Sequence, residues 1–307
     1  MDIFIQQIIN GLILGSIYAL VALGYTMVYG IMGLINFAHG EVVMIGAMVA
    51  LSVIKLLENS GLPVFLLLLF GLAAAALVCM AVGFTIERIA YRPLRRAPRL
   101  APLITAIGVS IVLQNLAMLI WGRNYHAFPP ILPTTSMTIF GATITSLQVA
   151  IVLIAALMMI GLMILINRTR LGRAMRATSE NPSIAQLMGV NINQIISFTF
   201  VIGSALAAVA GLMVSANYSI AHYYMGFMLG LKAFTAAVLG GIGNIAGAML
   251  GGILLGLIES LGAGYIGDLT GGFLGSHYQD IFAFFVLIGV LVFRPSGLIG
   301  EKVSERA

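Results

Sequence analysis

The stretch "LPVFLLLLFGLAAAALVCMAVGFTIERIAYRPLRR", residues 62–96, carries no charge from 62 to 86 and then delivers Arg88, Arg92, Arg95 and Arg96, with Arg99 just beyond. At 1.5 Å per residue a helix over the uncharged part spans the ~30 Å hydrocarbon core of a bilayer. It must be helical there, because an unpaired backbone group in lipid costs several kcal/mol. Arginines gathered at one end of such a run hold that end in the cytoplasm.

The same signature recurs along the chain. Apolar runs occupy 8–30, 42–57, 62–86, 100–121, 147–167, 195–216, 245–262 and 279–293, with a shorter one at 229–239. The 307 residues are 61% hydrophobic and 8% charged, against about 25% charged in an ordinary soluble domain. Such a chain cannot cover itself with polar surface in water. The expected fold is all-α, a polytopic transmembrane bundle of about eight spans plus a short re-entrant or broken helix. It is expected to form one transmembrane domain over 1–307, with no room for a sizeable soluble domain. The net charge of +5 falls in clusters between apolar runs and serves orientation; nucleic acid is not an expected partner, whereas the lipid bilayer is.

Three basic clusters fix the orientation: Arg88 to Arg99; Arg168, Arg170, Arg173 and Arg176; and Arg294, Lys302 and Arg306. They share the cytoplasmic side if an even number of crossings separates them. Two spans lie between the first pair. Between the second pair, 195–216 and 279–293 suffice if 229–262 enters and returns as a hairpin. Counting back from Arg88 through three spans puts the N-terminus outside. "MDIFIQQIIN" lacks the basic start of a signal peptide, so the first run is expected to be retained. The outer loop with Pro129, Pro130 and Pro133 reads as an extended connector or part of an external docking surface. Cys79 is the only cysteine, so it closes no internal disulfide.

No Gly-x-x-x-x-Gly-Lys-Ser/Thr loop is present to cradle nucleotide phosphates, and the nearest glycine cluster, Gly240 to Asn244, lacks the lysine. His39, His126, His222 and His277 show no metal-ligand spacing. No catalytic constellation stands out, so an enzyme is disfavoured; no catalytic or metal-binding residue and no cofactor of this chain's own is expected.

Ionisable groups near apolar runs carry more information, since a charge at mid-bilayer costs at least ~2.5–3.5 kcal/mol. Asn36, His39 and Glu41 in "INFAHGE" interrupt two runs, where irregular backbone must be buried in protein or line a cavity. They read either as an interfacial turn with Glu41 in the next helix's first turn or as lining of a path or its gate. Lys232 joins this candidate path set, with its alternative a snorkelling side chain, as do the glycine-rich Gly241, Gly243 and Asn244. Glu259 is a further intramembrane carboxylate, and Glu87 is expected to pair at the lipid boundary beside Arg88 and Arg92. Small residues four apart, at Gly11/Gly15, Gly226/Gly230, Gly247/Gly251 and Gly252/Gly256, permit close helix approach.

One polar island stands out, "RTRLGRAMRATSENPSIAQLMGVN" at 168–191. Asn181-Pro182 is a helix start, with Asn accepting from free N–H groups and Pro at the first helical position. Gly189 is the matching stop. Between them Ile184, Leu187 and Met188 share one face, and upstream Leu171, Ala174 and Met175 repeat the spacing. A helix this short is marginal in water. Lipid headgroups or a groove on a soluble partner must cover it, and the deliberate capping favours the groove.

The segments "GYTMVYGIMGLINFAHGEVVMIGA", "IERIAYRPLRR", "TRLGRAMRATSENPSIAQLMGVN" and "KAFTAAVLGGIGNIAGAMLGG" together resemble the LivH-type permease subunit of bacterial branched-chain amino acid ABC importers. The resemblance implies a multi-pass inner-membrane subunit assembled with a second permease of LivM type, two cytoplasmic ATPases that bind ATP, and a periplasmic amino-acid-binding protein. It also implies that 168–194 is a cytoplasmic coupling loop. The family's ATPase contact maps onto Gly172, Arg173 and Ala174 through Asn181, Pro182, Ile184, Ala185, Leu187, Met188 and Gly189. Urea and short-amide importers have similar permeases, so substrate is less sharply implied. The competing reading is a self-sufficient secondary transporter, which needs a membrane carboxylate relay and finds only Glu41 and Glu259.

Overall fold

The computed structural model describes residues 2–95, 97–98, 100–130, 135–139, 141–271 and 278–300. Arg96, Arg99, Pro133, His277, Lys302 and Arg306, named above, lie outside the described residues. The helices are α1 (Asp2–Met32), α2 (His39–Leu57), α3 (Val64–Thr85), α4 (Leu100–Trp121), α5 (Ser146–Arg168), α6 (Arg170–Glu180), α7 (Pro182–Leu187), α8 (Ile192–Tyr218), α9 (Met225–Gly240), α10 (Ile245–Leu269) and α11 (Gln279–Phe293). α3 runs on through a π-helical turn at Ile86–Tyr91 and a 3₁₀ turn at Arg92–Leu94.

Among the described residues seven helices are long and apolar enough to cross a membrane, and Met225–Gly240 and Ala283–Phe293 are shorter apolar helices. The bundle is polytopic and all but entirely helical, as expected. Its core is α1, α2, α8, α9 and α10, which pack on one another. α4 lies outside: its apolar window is 17% buried, against 72% for α1 and α8.

The glycine pairs explain how the core closes. Gly11 and Gly15 on α1 meet Leu257, Gly256, Ile253 and Gly252 on α10, while Gly247 and Gly251 on the neighbouring face of α10 meet Gly240 and Ala236 on α9. Gly226 and Gly230 face Gly40 on α2. All four pairs therefore serve packing within this chain. Backbones this close leave no room for a side chain between them.

The two faces of the bundle are distinct. Gln6 Nε2 donates to Thr143 O at 3.1 Å and Gln6 Oε1 accepts from Thr143 N at 2.8 Å, so the N-terminus sits beside the loop that follows α4. That loop, read from its prolines as an extended connector or part of a docking surface, also carries short strands. It holds β1 (His126–Ala127), which pairs with β4 (Ile220–Ala221), and a hairpin of β2 (Ser136–Ile139) with β3 (Ala142–Thr145). The alternating "SMTIFGATIT" is a hairpin signal in hindsight, with Gly141 at φ 82° in the turn. At the opposite face lie the described arginines that follow α3 and α5.

Two boundaries are corrected. The second span begins at His39 rather than 42, giving 19 residues; His39 and Glu41 stand in its first turn, and only 33–38 is irregular. The 229–262 hairpin is longer than its apolar runs, from Met225 to Leu269. α10 has 25 residues, and the tip at 241–244 reaches the segment after Arg294: Leu298 N donates to Leu239 O and Ile299 N to Gly240 O, both at 3.0 Å.

Candidate functional site

α1 ends where Gly33, at φ 62°, lets its N–H bond Tyr29 O at 2.7 Å. The chain then doubles back, and His39 lies against Gly24, where a Cβ would stand 2.0 Å from the imidazole Nε2. Gly24 is nine residues before Gly33, so α2 starts about 13 Å inside the end of α1. The first turn of α2 is thereby within the bundle interior. His39 meets Tyr25 edge-on, with ring centroids 5.1 Å apart. Asn36, in the return segment, accepts from Tyr91 OH at 3.1 Å.

Glu41 is the buried charge of this region, 1% exposed. Its Oε1 accepts from Ser110 Oγ at 3.1 Å and Gln114 Nε2 at 2.7 Å, both midway along α4. Oε2 has no hydrogen-bond partner among the described residues and faces Gly226 in the first turn of α9. The carboxylate thus lies at the N-terminal ends of two helices, where negative charge is favoured. Ser110 and Gln114 were not singled out in the sequence. The signal was there: two polar side chains four apart in an apolar span share a face.

Lys232 does not snorkel. Its Nζ lies 2.5 Å from Glu259 Oε1 and 2.8 Å from Asp280 Oδ1, and Tyr18 OH donates to Glu259 Oε2 at 2.9 Å. One ammonium with two carboxylates joins α1, α9, α10 and α11. The Asp280 carboxylate is 48 positions away in sequence and leaves no local mark. Glu87 pairs with Arg92 as expected, but Arg88 is not its partner and the carboxylate is no boundary group. It is fully buried and binds Arg92 at 3.2 Å, Arg95, and Ser197 Oγ at 2.6 Å, tying the end of α3 to α8. The π-helical turn re-aims the chain so that Arg92 and Arg95, rather than Arg88, come round to it.

The polar island folds as two capped helices. Thr169 Oγ1 accepts from Gly172 N at 3.0 Å to begin α6, and Asn181 Oδ1 accepts from Ile184 N at 3.1 Å to begin α7. α7 closes with Gly189 at φ 84°; Gly189 N donates to Gln186 O and Val190 N to Ala185 O, both at 3.0 Å. That bond pair is the Schellman stop. The residues divide by exposure. Gly172, Met175 and Ala185 are buried, and a Cβ at Gly172 would meet Ile166 O at 2.2 Å. Arg173 and Pro182 are exposed and Ala174 half-buried. Ile184, Leu187 and Met188 are 58%, 86% and 80% exposed, a bare apolar face on a short capped helix.

Gly241, Gly243 and Asn244 form the tip between α9 and α10. Gly241 and Gly243 hold φ 110° and 97°, open mainly to glycine. Asn244 Oδ1 accepts from Gly247 N and its Nδ2 donates to Ile299 O, both at 3.0 Å. No hydrogen bond among the described residues joins this tip to Glu41 or to Lys232; the candidate path residues sit in three separate settings.

The profile of the family described as "Branched-chain amino acid transport system / permease component" matches residues 7–291. Among relatives, the chain is 50% identical to the high-affinity branched-chain amino acid transport system permease protein BraD of Pseudomonas aeruginosa, covering 99% of this chain and 98% of that one. It is 46% identical to the protein LivH of Escherichia coli K12, which has the same description, over 99% and 97%. It is 30% identical to a probable branched-chain amino acid transport permease protein LivH of Methanocaldococcus jannaschii, over 97% and 94%. With a polytopic helical bundle and a match of this length, the chain belongs to the branched-chain amino acid transport system permease component family.

Proposed function

We propose that this chain is a membrane-spanning permease subunit of an ATP-driven, binding-protein-dependent importer of branched-chain amino acids. The single observation that carries the reading is end-to-end similarity to high-affinity branched-chain amino acid permeases. The partners are a second, LivM-type permease that completes the path, two cytoplasmic ATPases that bind the nucleotide, and a periplasmic amino-acid-binding protein. The location is the bacterial inner membrane.

The bare face of Ile184, Leu187 and Met188 is the docking element for an ATPase, within the coupling loop 168–194. ATP-driven closure of the ATPases displaces the capped helices as a rigid lever, and the spans switch access. The energy is the partners' differential affinity for the two states. Glu41, with one oxygen unpaired where α2, α4 and α9 meet, is the best candidate for a group that feels that switch.

The test is reconstitution of the chain with its partners and measurement of ATP-dependent, binding-protein-dependent uptake of leucine, isoleucine, valine and urea. Leucine uptake by vesicles holding this chain alone, without nucleotide, overturns the proposal; uptake of urea alone reassigns the substrate. Ile184→Asp and Gly189→Glu are expected to cut leucine uptake per inserted molecule at least about tenfold, or roughly 1.4 kcal/mol. Gly189→Asn, which tolerates a left-handed backbone, retains it. Normal uptake in both disruptive variants removes the docking role. Glu41→Gln is expected to change uptake or its coupling to ATP hydrolysis several-fold at unchanged expression. Equal transport leaves Glu41 as a structural anchor for α4.

A further inference from the structure

α3 packs on α8, whereas α5 packs mainly on α1 and touches α8 only lightly, and between α3 and α5 lies a cavity of about 300 Å³. Leu68 and Leu72 of α3, Ala150 and Ile151 of α5 and Met213 of α8 line it, and Phe128 to Pro130 roof it. Every helical position in its wall is within about three turns of the α3, α5 and α8 ends that face the β-hairpin. The cavity belongs to one half of the membrane's thickness. It is open to the side: Phe65, Leu69 and Ile154, at its edge, are 72%, 48% and 40% exposed on spans whose outer surfaces face lipid.

We propose that this cavity is a binding site for one acyl chain of a membrane phospholipid. Protein interiors close such voids because lining atoms without neighbours lose dispersion contacts. Water does not fill this one, since a buried water needs two to four polar partners and the lining is apolar apart from Ser219. An amino acid does not fit either, for its ammonium and carboxylate find no counter-charge in the wall. A helix of a protein partner is the competing occupant, which cross-linking at Leu147 separates from lipid. An acyl chain is narrow, has no polar group to satisfy, and is the solvent at the cavity mouth.

The experiment counts phospholipid retained by the full purified chain under delipidating conditions, by native mass spectrometry, with dioleoyl phosphatidylglycerol as the supplied lipid. Wild type is expected to hold one molecule per chain. Ala150→Phe, which puts a ring into the cavity, is expected to lower retention at least about tenfold, and Ala216→Leu does the same from the α8 wall. Leu119→Phe, on the exposed face of α4, leaves it unchanged. Elution as a single folded species is required of each variant, and the two filling variants approach from opposite sides so that one misfolding does not decide the matter. Equal retention in all four proteins overturns the site. So does a photoreactive group at Leu147 that cross-links to another protein of the assembled complex instead of to lipid.

Discussion

Lys232→Ala is expected to cost the folded chain about 3–5 kcal/mol, the usual penalty for removing one member of a buried ion pair. The residue holds two carboxylates, Glu259 and Asp280, and Glu259 is 3% exposed. Without the ammonium, the buried Glu259 carboxylate faces the half-buried Asp280, with only Tyr18 OH left to donate among the described residues. The measurement is the midpoint of thermal unfolding of the purified chain, read together with the fraction eluting as one species. Lys232→Met combined with Glu259→Leu is expected to recover much of the loss, because an apolar replacement of a buried pair is often neutral or better. If the single variant is as stable as wild type, the three-group cluster does not hold α11 to the bundle. If the double variant is no better than the single, the loss came from packing of the lysine stem rather than from stranded charge.

Gly252→Val is expected to prevent assembly of the core. A Cβ at 252 would lie 2.4 Å from Ala19 N and Cα on α1, and backbone cannot rotate away as a side chain does. Moving α10 off α1 does not relieve the strain cheaply, because its other face is held by Gly251, whose Cβ would meet Ala236 O at 2.1 Å. Overpacking commonly costs 1–3 kcal/mol, and here two helices must part, so the loss is at the upper end, about 3 kcal/mol or more. The expected readout is loss of monodisperse protein at normal synthesis. The contrast is Gly108→Ala and Gly161→Ala, where a Cβ meets nothing within 4 Å. Those are neutral or gain about 0.5–1 kcal/mol from helix propensity. Equal behaviour of Gly252→Val and Gly161→Ala rules out the close α1–α10 approach.

The parts of this structure that the sequence announced are local ones. Span positions follow from uninterrupted apolar length, and both caps of α7 follow from Asn181-Pro182 and Gly189, since each rests on groups a few residues apart. The glycine pairs were visible as pairs, but their partners were not, because which helix meets Gly252 is decided by the whole bundle. The charged groups divide the same way. Lys232 reads as a lone cation until α11 brings Asp280 beside it, and Glu87 reads as a boundary pair with Arg88 and Arg92 until the fold buries it and adds Arg95 in place of Arg88. The start of α2 was misplaced because a histidine and a glutamate look like interfacial residues; their interior position depends on the chain doubling back along α1. The roles of the α6–α7 face and of Glu41 rest on assembly with other subunits, which is where the uptake measurements are aimed.

The clasp formed by Leu298 and Ile299 on the last carbonyls of α9 bears on the order of biogenesis. Those donors leave the ribosome almost sixty positions after the carbonyls they serve. During synthesis the end of α9 therefore waits with open acceptors, exposed to water or to an insertion chaperone, and this contact locks only once α10, α11 and the segment beyond them have emerged.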